Sequence, residues 1–97
     1  MTKIEILDYL TAHKAEFKEQ FGVIRIGLFG SFARGEQNED SDLDLAVEIA
    51  KERKSLKNFF GFKRELEVQF GRKIDLVIES AFKPLVSEQM QKDIIYI

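Results

Sequence analysis

The sequence predicts an α/β (α+β) domain in which a small mixed three-stranded sheet is flanked by helices. Short apolar segments typical of strands alternate along the chain with longer segments that have helical spacing. Glycines stand where two of the helices would end, and the connection between the second and third strands is long enough for a crossover helix. The predicted order is αβαβαβ, and 97 residues are enough for one domain, 1–97.

The first element is predicted to be an amphipathic helix over residues 3–20. Apolar residues recur there near helical spacing among charged residues, and Gly22 follows as a helix terminator. The apolar positions are Ile4, Leu7, Leu10 and Phe17.

Three segments are predicted to be strands. Residues 23–29 (VIRIGLF) are apolar and β-branched, which is typical of a buried strand. Residues 43–49 (LDLAVEI) alternate between apolar and polar or small side chains, and residues 73–79 (KIDLVIE) alternate in the same way. Each of the last two strands therefore has one face that belongs in the core.

Two further helices are predicted between and after these strands. One covers residues 55–70 and ends at Gly71, so the strands before and after it are expected to be parallel. Pro84 suits the first turn of a last helix. Its apolar stripe is expected to contain Leu85, Val86, Met90 and Ile94.

Composition excludes several classes of protein. The chain has no cysteine and one histidine, so disulfides and a structural zinc site are not expected. A formal net charge of −2 gives no general attraction to nucleic acid or to anionic membranes. The first ten residues lack the apolar core of a signal peptide, and no segment approaches a membrane span. A cytoplasmic protein without a membrane or a direct nucleic-acid partner is expected.

An acidic segment with no compensating base is the first sign of function. Six carboxylates and no Lys or Arg lie between Gly35 and Ala50. Asp42 and Asp44 are two residues apart and would point to the same side of a strand, and Asp75 has the matching parity in its own strand. Their mutual repulsion would be relieved by a hard divalent cation, Mg²⁺ or Mn²⁺, held by oxygen ligands.

A glycine turn precedes this acidic segment. Gly30 permits a tight exit from the first strand, and Ser31 is expected to cap the short segment that follows. The free amides there, with Arg34 one turn later, suit a phosphate group. Arg34 is equally compatible with a surface ion pair to Glu36 or Glu39. An anion-binding turn beside a metal-binding acid pair describes a site for a nucleoside triphosphate and its metal.

Two other motif interpretations fail on sequence detail. Gly30–Gly35 has the spacing of a P-loop, but Glu36 and Gln37 follow where Lys and Ser or Thr are required. Residues 40–44 imitate the start of an EF-hand loop, but Leu45 stands where that loop needs glycine.

The motifs resemble those of the DNA polymerase β-type nucleotidyltransferase superfamily, in its minimal nucleotidyltransferase branch. The pattern of that family appears as GSFARG (30–35), SDLDL (41–45) and the later strand residue Asp75. The resemblance implies that Asp42 and Asp44 bind two Mg²⁺ ions and that Asp75 is the third carboxylate. It also implies that Gly30 and Ser31 form the triphosphate-binding turn. The implied reaction is attack of a hydroxyl on the α-phosphorus with release of pyrophosphate.

Within this branch, the chain resembles MntA-type antitoxins, which are short stand-alone proteins that pair with HEPN-domain toxins. The resemblance implies transfer of AMP from ATP to a tyrosine hydroxyl of an all-helical toxin, within a hetero-oligomer. No residues are expected after the core to build a substrate-binding helical domain. Transfer to a small molecule or RNA, and a non-catalytic module that only binds its toxin, are the alternatives.

Two surface features are left open by the sequence. Phe59, Phe60 and Phe62 put more aromatic rings on one helix than a single buried stripe uses, so they are either core or partner-facing. The basic residues between 51 and 57 are either a solvated face or a contact for a partner or RNA.

Overall fold

A four-stranded mixed sheet forms the centre of the computed structural model, which describes residues 1–81 and 84–97 and, at 84–87 and 89, the backbone alone. The strand order is β3-β2-β1-β4. The strands are β1 (Val23–Phe29), β2 (Leu43–Ile49), β3 (Ile74–Ile78) and β4 (Ile95–Tyr96). The helices are α1 (Lys3–Phe21), α2 (Ser31–Arg34), α3 (Leu56–Phe70) and α4 (Pro84–Asp93).

Helix α1 has both ends determined by its own sequence. The Thr2 hydroxyl accepts a hydrogen bond from the Glu5 amide, and the Glu5 carboxylate accepts one from the Thr2 amide. At the other end Gly22 adopts the left-handed conformation with φ of 72°.

The buried stripe of α1 differs from the prediction at its first turn. Ile6, Leu10 and Phe17 are buried, whereas Ile4 is largely exposed and Leu7 is only partly buried. At 100° per residue, Ile4 lies about 120° around the helix from Leu10, which places it outside the stripe. The prediction that Ile4 belongs to the core face was therefore wrong.

The pairing of the three long strands agrees with the prediction of a mixed sheet. β1 and β2 are antiparallel neighbours, and β2 and β3 are parallel neighbours connected through α3. The α3 helix begins after Ser55, whose hydroxyl accepts a hydrogen bond from the Asn58 amide, and ends at Gly71. The crossover connection and its parallel pair are thus confirmed.

The fourth strand corrects the predicted number of three. Ile95 and Tyr96 pair antiparallel with Leu28 and Gly27 at the free edge of β1. This approach depends on Gly27, since a Cβ there would lie 2.7 Å from side-chain atoms of Ile94. A two-residue strand is too short to show alternation, so its pairing could not be inferred from its own sequence.

The core lies on the face of the sheet that α1 and α3 cover. The apolar positions of β2 and β3 alternate inward as predicted, and Phe62 and Leu66 of α3 pack against them. The opposite face carries Asp44, Glu48 and Asp75, so the catalytic candidates project away from the main core.

The last helix begins at Pro84 as predicted, and Met90 is buried. The predicted stripe positions Leu85 and Val86 lie outside the described side chains, and Ile94 follows the helix rather than belonging to it. Within the described part of the chain, no helix combines the length and the apolar character needed to cross a bilayer.

Candidate active site

The turn after β1 is built around a glycine that no other residue could replace without movement. Gly30 has φ of 77° and ψ of −154°, a backbone conformation that is essentially restricted to glycine. A Cβ on Gly30 would lie 2.1 Å from Oδ2 of Asp44. The turn and the carboxyl group of β2 are therefore in direct contact, and only a hydrogen atom fits between them.

The structure corrects the predicted role of Ser31 as a helix cap. Gly30 occupies the N-cap position of α2, without a side-chain hydrogen bond, and Ser31 is the first helical residue. The helix has a single turn, closed by the Arg34 amide donating to the Gly30 carbonyl at 3.1 Å. The first amide groups of a helix have no hydrogen-bond partner within the helix. The backbone N–H groups near Ser31 can therefore donate to a bound acceptor, such as a phosphate oxygen.

Asp44 and Asp75 lie side by side on neighbouring parallel strands. They are direct register partners, and the charge of Asp75 is near enough to raise the pKa of Asp44. Asp44 is half-buried, whereas Asp75 is exposed. The sheet therefore brings these two predicted residues together, as the parity of the strands indicated.

Asp42 directly precedes β2, whose bounds agree with the predicted strand of residues 43–49. The strand β2 begins at Leu43, so Asp42 lies in the preceding loop and not on the strand. Its carboxylate is 3.7 Å from Nζ of Lys73, and both side chains are exposed. Asp42 is still near enough to Asp44 for its charge to affect the ionisation of that carboxyl group.

The electrostatics of Asp44 reflect this crowding. Burial is the largest cause and the neighbouring charge of Asp75 the next, with a smaller contribution from Asp42, and together they raise the pKa of Asp44 to about 6. The positive charge of Arg34 acts in the opposite direction. A carboxyl group in this environment gains stability from a proton or from a bound cation.

The side chains fit a hard divalent cation only in part. Asp44 and Asp75 supply adjacent carboxyl oxygens, which Mg²⁺ and Mn²⁺ prefer as ligands. Across residues 1–81 and 84–97, however, no three Asp, Glu or His side chains come close enough together to hold a metal ion. The Asp44–Asp75 pair suits such a cation, and Asp42 would have to leave Lys73 to join it.

Arg34 is engaged by carboxylates. Its Nη1 donates to Asp93 at 2.9 Å and its Nε donates to Glu36 at 3.1 Å. The hydrogen bond to Asp93 and then that to Glu36 raise the pKa of Arg34 above its ordinary value. The predicted alternative of a Glu36 ion pair is thus present, and Asp93 is a partner that the sequence did not reveal.

Sequence reasoning also missed Arg72 and Lys73, which contact the segment that carries Asp42. Nη1 of Arg72 donates to the Ser41 carbonyl at 2.7 Å. The only signal in the sequence was their position immediately before the strand that contains Asp75. Ser41 itself closes the turn before β2, since its hydroxyl accepts from the Asn38 amide at 2.9 Å.

Comparisons with known proteins agree with this geometry. A family model described as a nucleotidyltransferase domain matches residues 10–97. The protein adenylyltransferase MntA of Thermococcus cleftensis is 41% identical over 97 residues, which are 100% of this chain and 97% of that protein. A solved minimal nucleotidyltransferase has 34% identity and a TM-score of 0.82, over 98% of this chain and 95% of that one.

A more distant structure shares the fold. It is a toxin–antitoxin with AMP-PNP, 21% identical, with a TM-score of 0.72 over 99% of this chain and 72% of that chain. The family model and the similarity to MntA along nearly the whole of both chains confirm the resemblance found in the sequence. The chain therefore belongs to the nucleotidyltransferase domain family, in its minimal nucleotidyltransferase branch, and is a nucleotidyltransferase.

Proposed function

We propose that this nucleotidyltransferase is a protein adenylyltransferase that acts as an antitoxin, transferring AMP from ATP to a tyrosine hydroxyl of an all-helical HEPN-type toxin. The observation that carries the proposal is the contact of the Gly30 turn with Asp44, whose strand partner is Asp75. In such a site, the backbone of the Gly30 turn can bind phosphate groups next to two carboxyl groups. The similarity to the MntA protein adenylyltransferase supports the choice of ATP and of a protein acceptor.

In the proposed reaction, Asp44, Asp75 and Asp42 would hold Mg²⁺, which would supply charge neutralisation for the triphosphate. Gly30 and Ser31 bind the triphosphate through their backbone, and Arg34 adds a charge-assisted hydrogen bond after exchanging a carboxylate partner. The acceptor oxygen forms a bond to the α-phosphorus while the bond from that phosphorus to the bridging oxygen breaks. Pyrophosphate leaves, and the hydroxyl proton passes to the exposed carboxylate of Asp75.

A protein partner is supported by exposed apolar side chains on α3. Phe62 is fully buried, but Phe60 is 53% exposed, and Leu56 and Val68 on the same helix are more exposed still. The phenylalanine cluster was interpreted as either core or partner-facing, and each interpretation fits one of these two residues. Phe62 belongs to the core, and Phe60 is free to contact a partner.

Charge gives this surface a preferred kind of partner. Residues 51–64 contain six Lys or Arg and one Glu, in a chain whose net charge is −2. Exposed apolar side chains among concentrated positive charge fit a protein surface that carries both apolar and acidic side chains. A toxin with such a surface would form a hetero-oligomer with this chain, in the cytoplasm, where ATP is abundant.

The proposal is tested by following the α-phosphate of labelled ATP in the presence of Mg²⁺ and the small helical protein that co-purifies with the chain. We expect label on a tyrosine of that partner. Asp44→Asn should abolish labelling while the complex still forms, and Asp8→Asn, at an exposed position of α1, is the matched control.

Three other results would contradict the proposal in different ways. Label on RNA or on a small molecule would identify another acceptor. Inhibition of the partner without any transfer of label would show that the chain acts by binding alone. Labelling that persists in Asp44→Asn would show that the reaction does not use this site.

A further inference from the structure

Arg72 stands where the three segments of the candidate site meet. It directly follows Gly71, which ends α3 in the left-handed conformation with φ of 63°, and it precedes Asp75 by three residues. The end of α3 therefore determines the position of the Arg72 backbone and the direction in which the chain enters β3. Its side chain reaches back to the two other segments that carry predicted site residues.

The first contact of Arg72 is with the loop before β2. Nη1 donates a hydrogen bond of 2.7 Å to the carbonyl of Ser41, the residue that precedes Asp42. Because a carbonyl and the next Cα belong to one rigid peptide plane, fixing the Ser41 carbonyl restricts where the Asp42 side chain starts.

The second contact is with the glycine turn. The guanidinium carbon of Arg72 lies 5.0 Å from the centre of the Phe32 ring, and Phe32 is almost fully buried. Phe32 follows Ser31 in the chain, so its ring is a rigid platform attached to the turn. A guanidinium over an aromatic face is attracted to the ring and can still donate hydrogen bonds in its own plane.

Three other contacts lie near Asp42. The turn of residues 38–41 is closed by the Ser41 amide and hydroxyl, and these bonds are internal to the loop. The Asp42–Lys73 ion pair joins two exposed side chains, and such pairs contribute little. The Leu43 amide donates to the Lys73 carbonyl at 3.1 Å and fixes the peptide that follows Asp42, while Arg72 fixes the peptide that precedes it.

We propose that Arg72 is a positioning residue of this site, which holds the Ser41–Asp42 segment at a fixed place relative to the Phe32 turn and to Asp75. The inference rests on the proposed function in so far as Asp42 is a ligand of the catalytic metal. Arg72 acts through the backbone of Ser41, to whose carbonyl it donates. A lysine could donate to the Ser41 carbonyl but lacks the planar group that stacks on Phe32.

The test compares Arg72→Gln and Arg72→Lys with the unchanged chain. Mn²⁺ is the probe, and its binding is measured by electron paramagnetic resonance. Because partners that orient metal ligands typically contribute about 10–100-fold in metal affinity or activity, Arg72→Gln should weaken Mn²⁺ binding by about that factor. Arg72→Lys should recover part of the loss.

Hydrogen exchange provides a readout that does not depend on metal or activity. In Arg72→Gln the amides of residues 38–43 should exchange faster while those of α1 and β1 stay unchanged. Arg25→Gln is the matched control, since Arg25 stacks over Tyr96 at 4.1 Å and pairs with Glu79, away from the acidic residues of the site. It should leave both Mn²⁺ binding and exchange of the 38–43 amides as they are.

The possible outcomes separate this inference from the proposed function. A folded Arg72→Gln with unchanged Mn²⁺ affinity and unchanged exchange overturns the positioning role, and if that variant does not fold, the same result for Arg72→Lys overturns it. An unchanged chain that transfers no label overturns the proposed function. The Arg72 inference then still stands if Arg72→Gln loosens the 38–43 segment and weakens Mn²⁺ binding.

Discussion

Replacing Gly30 by alanine tests the closest approach in the site. The new Cβ would be 2.1 Å from Oδ2 of Asp44 and 2.9 Å from its Cγ, so the carboxyl group or the turn must move. The backbone conformation, with φ of 77° and ψ of −154°, also disfavours any side chain. Gly35→Ala is the matched control, because Gly35 has φ of 72° and open space where its Cβ would stand.

The expected loss of stability can be worked out from these two effects. A residue forced into a region that only glycine populates costs about 1–3 kcal/mol. An added methyl group in filled space costs typically about 1–3 kcal/mol more. Gly35→Ala carries only the ordinary left-handed penalty of about 1–2 kcal/mol. With the middle of each range, Gly30→Ala should therefore be the less stable of the two variants by about 2.5 kcal/mol.

The assay is thermal unfolding followed by circular dichroism, without metal or nucleotide. A difference of 1 kcal/mol shifts the melting temperature of a domain of this size by roughly 4–8 °C, so the two variants should be clearly separated. Transfer of AMP should fall in Gly30→Ala by about 100-fold, since a displacement of about 1 Å in a catalytic group has an effect of that order.

Two results would refute this reasoning. Equal melting temperatures for Gly30→Ala and Gly35→Ala would show that the turn and Asp44 do not need to touch. Wild-type transfer by a Gly30→Ala protein with the expected loss of stability would show that the contact is structural and not part of the chemistry.

Three further predictions follow from other parts of the structure. Burial and then the neighbouring aspartates raise the pKa of Asp44 to about 6 from 3.8, so stability falls as the pH rises between these values. Asp44→Asn should melt higher than the unchanged chain above pH 6, with the advantage lost near pH 4 and reversed by saturating Mg²⁺. Phe60→Ser should weaken partner binding in a pull-down and leave the free energy of unfolding within about 0.5 kcal/mol, whereas Phe62→Ala should lower that free energy by about 3–5 kcal/mol. Arg34→Gln should raise the KM for ATP with little change in melting temperature, because the ion pair that it loses with Asp93 is at the surface; an unchanged KM would remove Arg34 from the phosphate site.

The sequence was sufficient for the elements whose ends and faces are determined locally. Gly22 and Gly71 end their helices in the left-handed conformation, which glycine adopts without strain. The alternation in residues 43–49 predicted which side chains of β2 are buried, because one face of that strand is covered. The length of the connection through α3 predicted the parallel pair, and with it the meeting of Asp44 and Asp75.

What the sequence did not reveal depends on contacts between distant segments. The pairing of Ile95 with Leu28 is determined by how the chain returns to the sheet, and two residues carry no periodic signal. The contact between Arg72 and Ser41 spans 31 residues, and nothing at either position distinguishes it from an ordinary surface pair. The N-cap of α2 is Gly30, and the sequence did not reveal that Asp44 approaches this residue too closely for a side chain.

The two acids of the D-x-D motif are held in different ways, and this difference bears on how the site could work. Asp44 belongs to β2, so its distance from Asp75 is fixed by the strand ladder. Asp42 belongs to the loop before β2, between the Ser41 carbonyl that binds Arg72 and the Leu43 amide that binds the Lys73 carbonyl, and its side chain pairs with Lys73 at the surface. A cation that binds Asp44 and Asp75 can draw Asp42 away from Lys73 at small cost, because that pair is solvated. The motif thus combines one carboxylate fixed by the sheet with one whose side chain can turn from Lys73 to the ligand while its backbone stays in place.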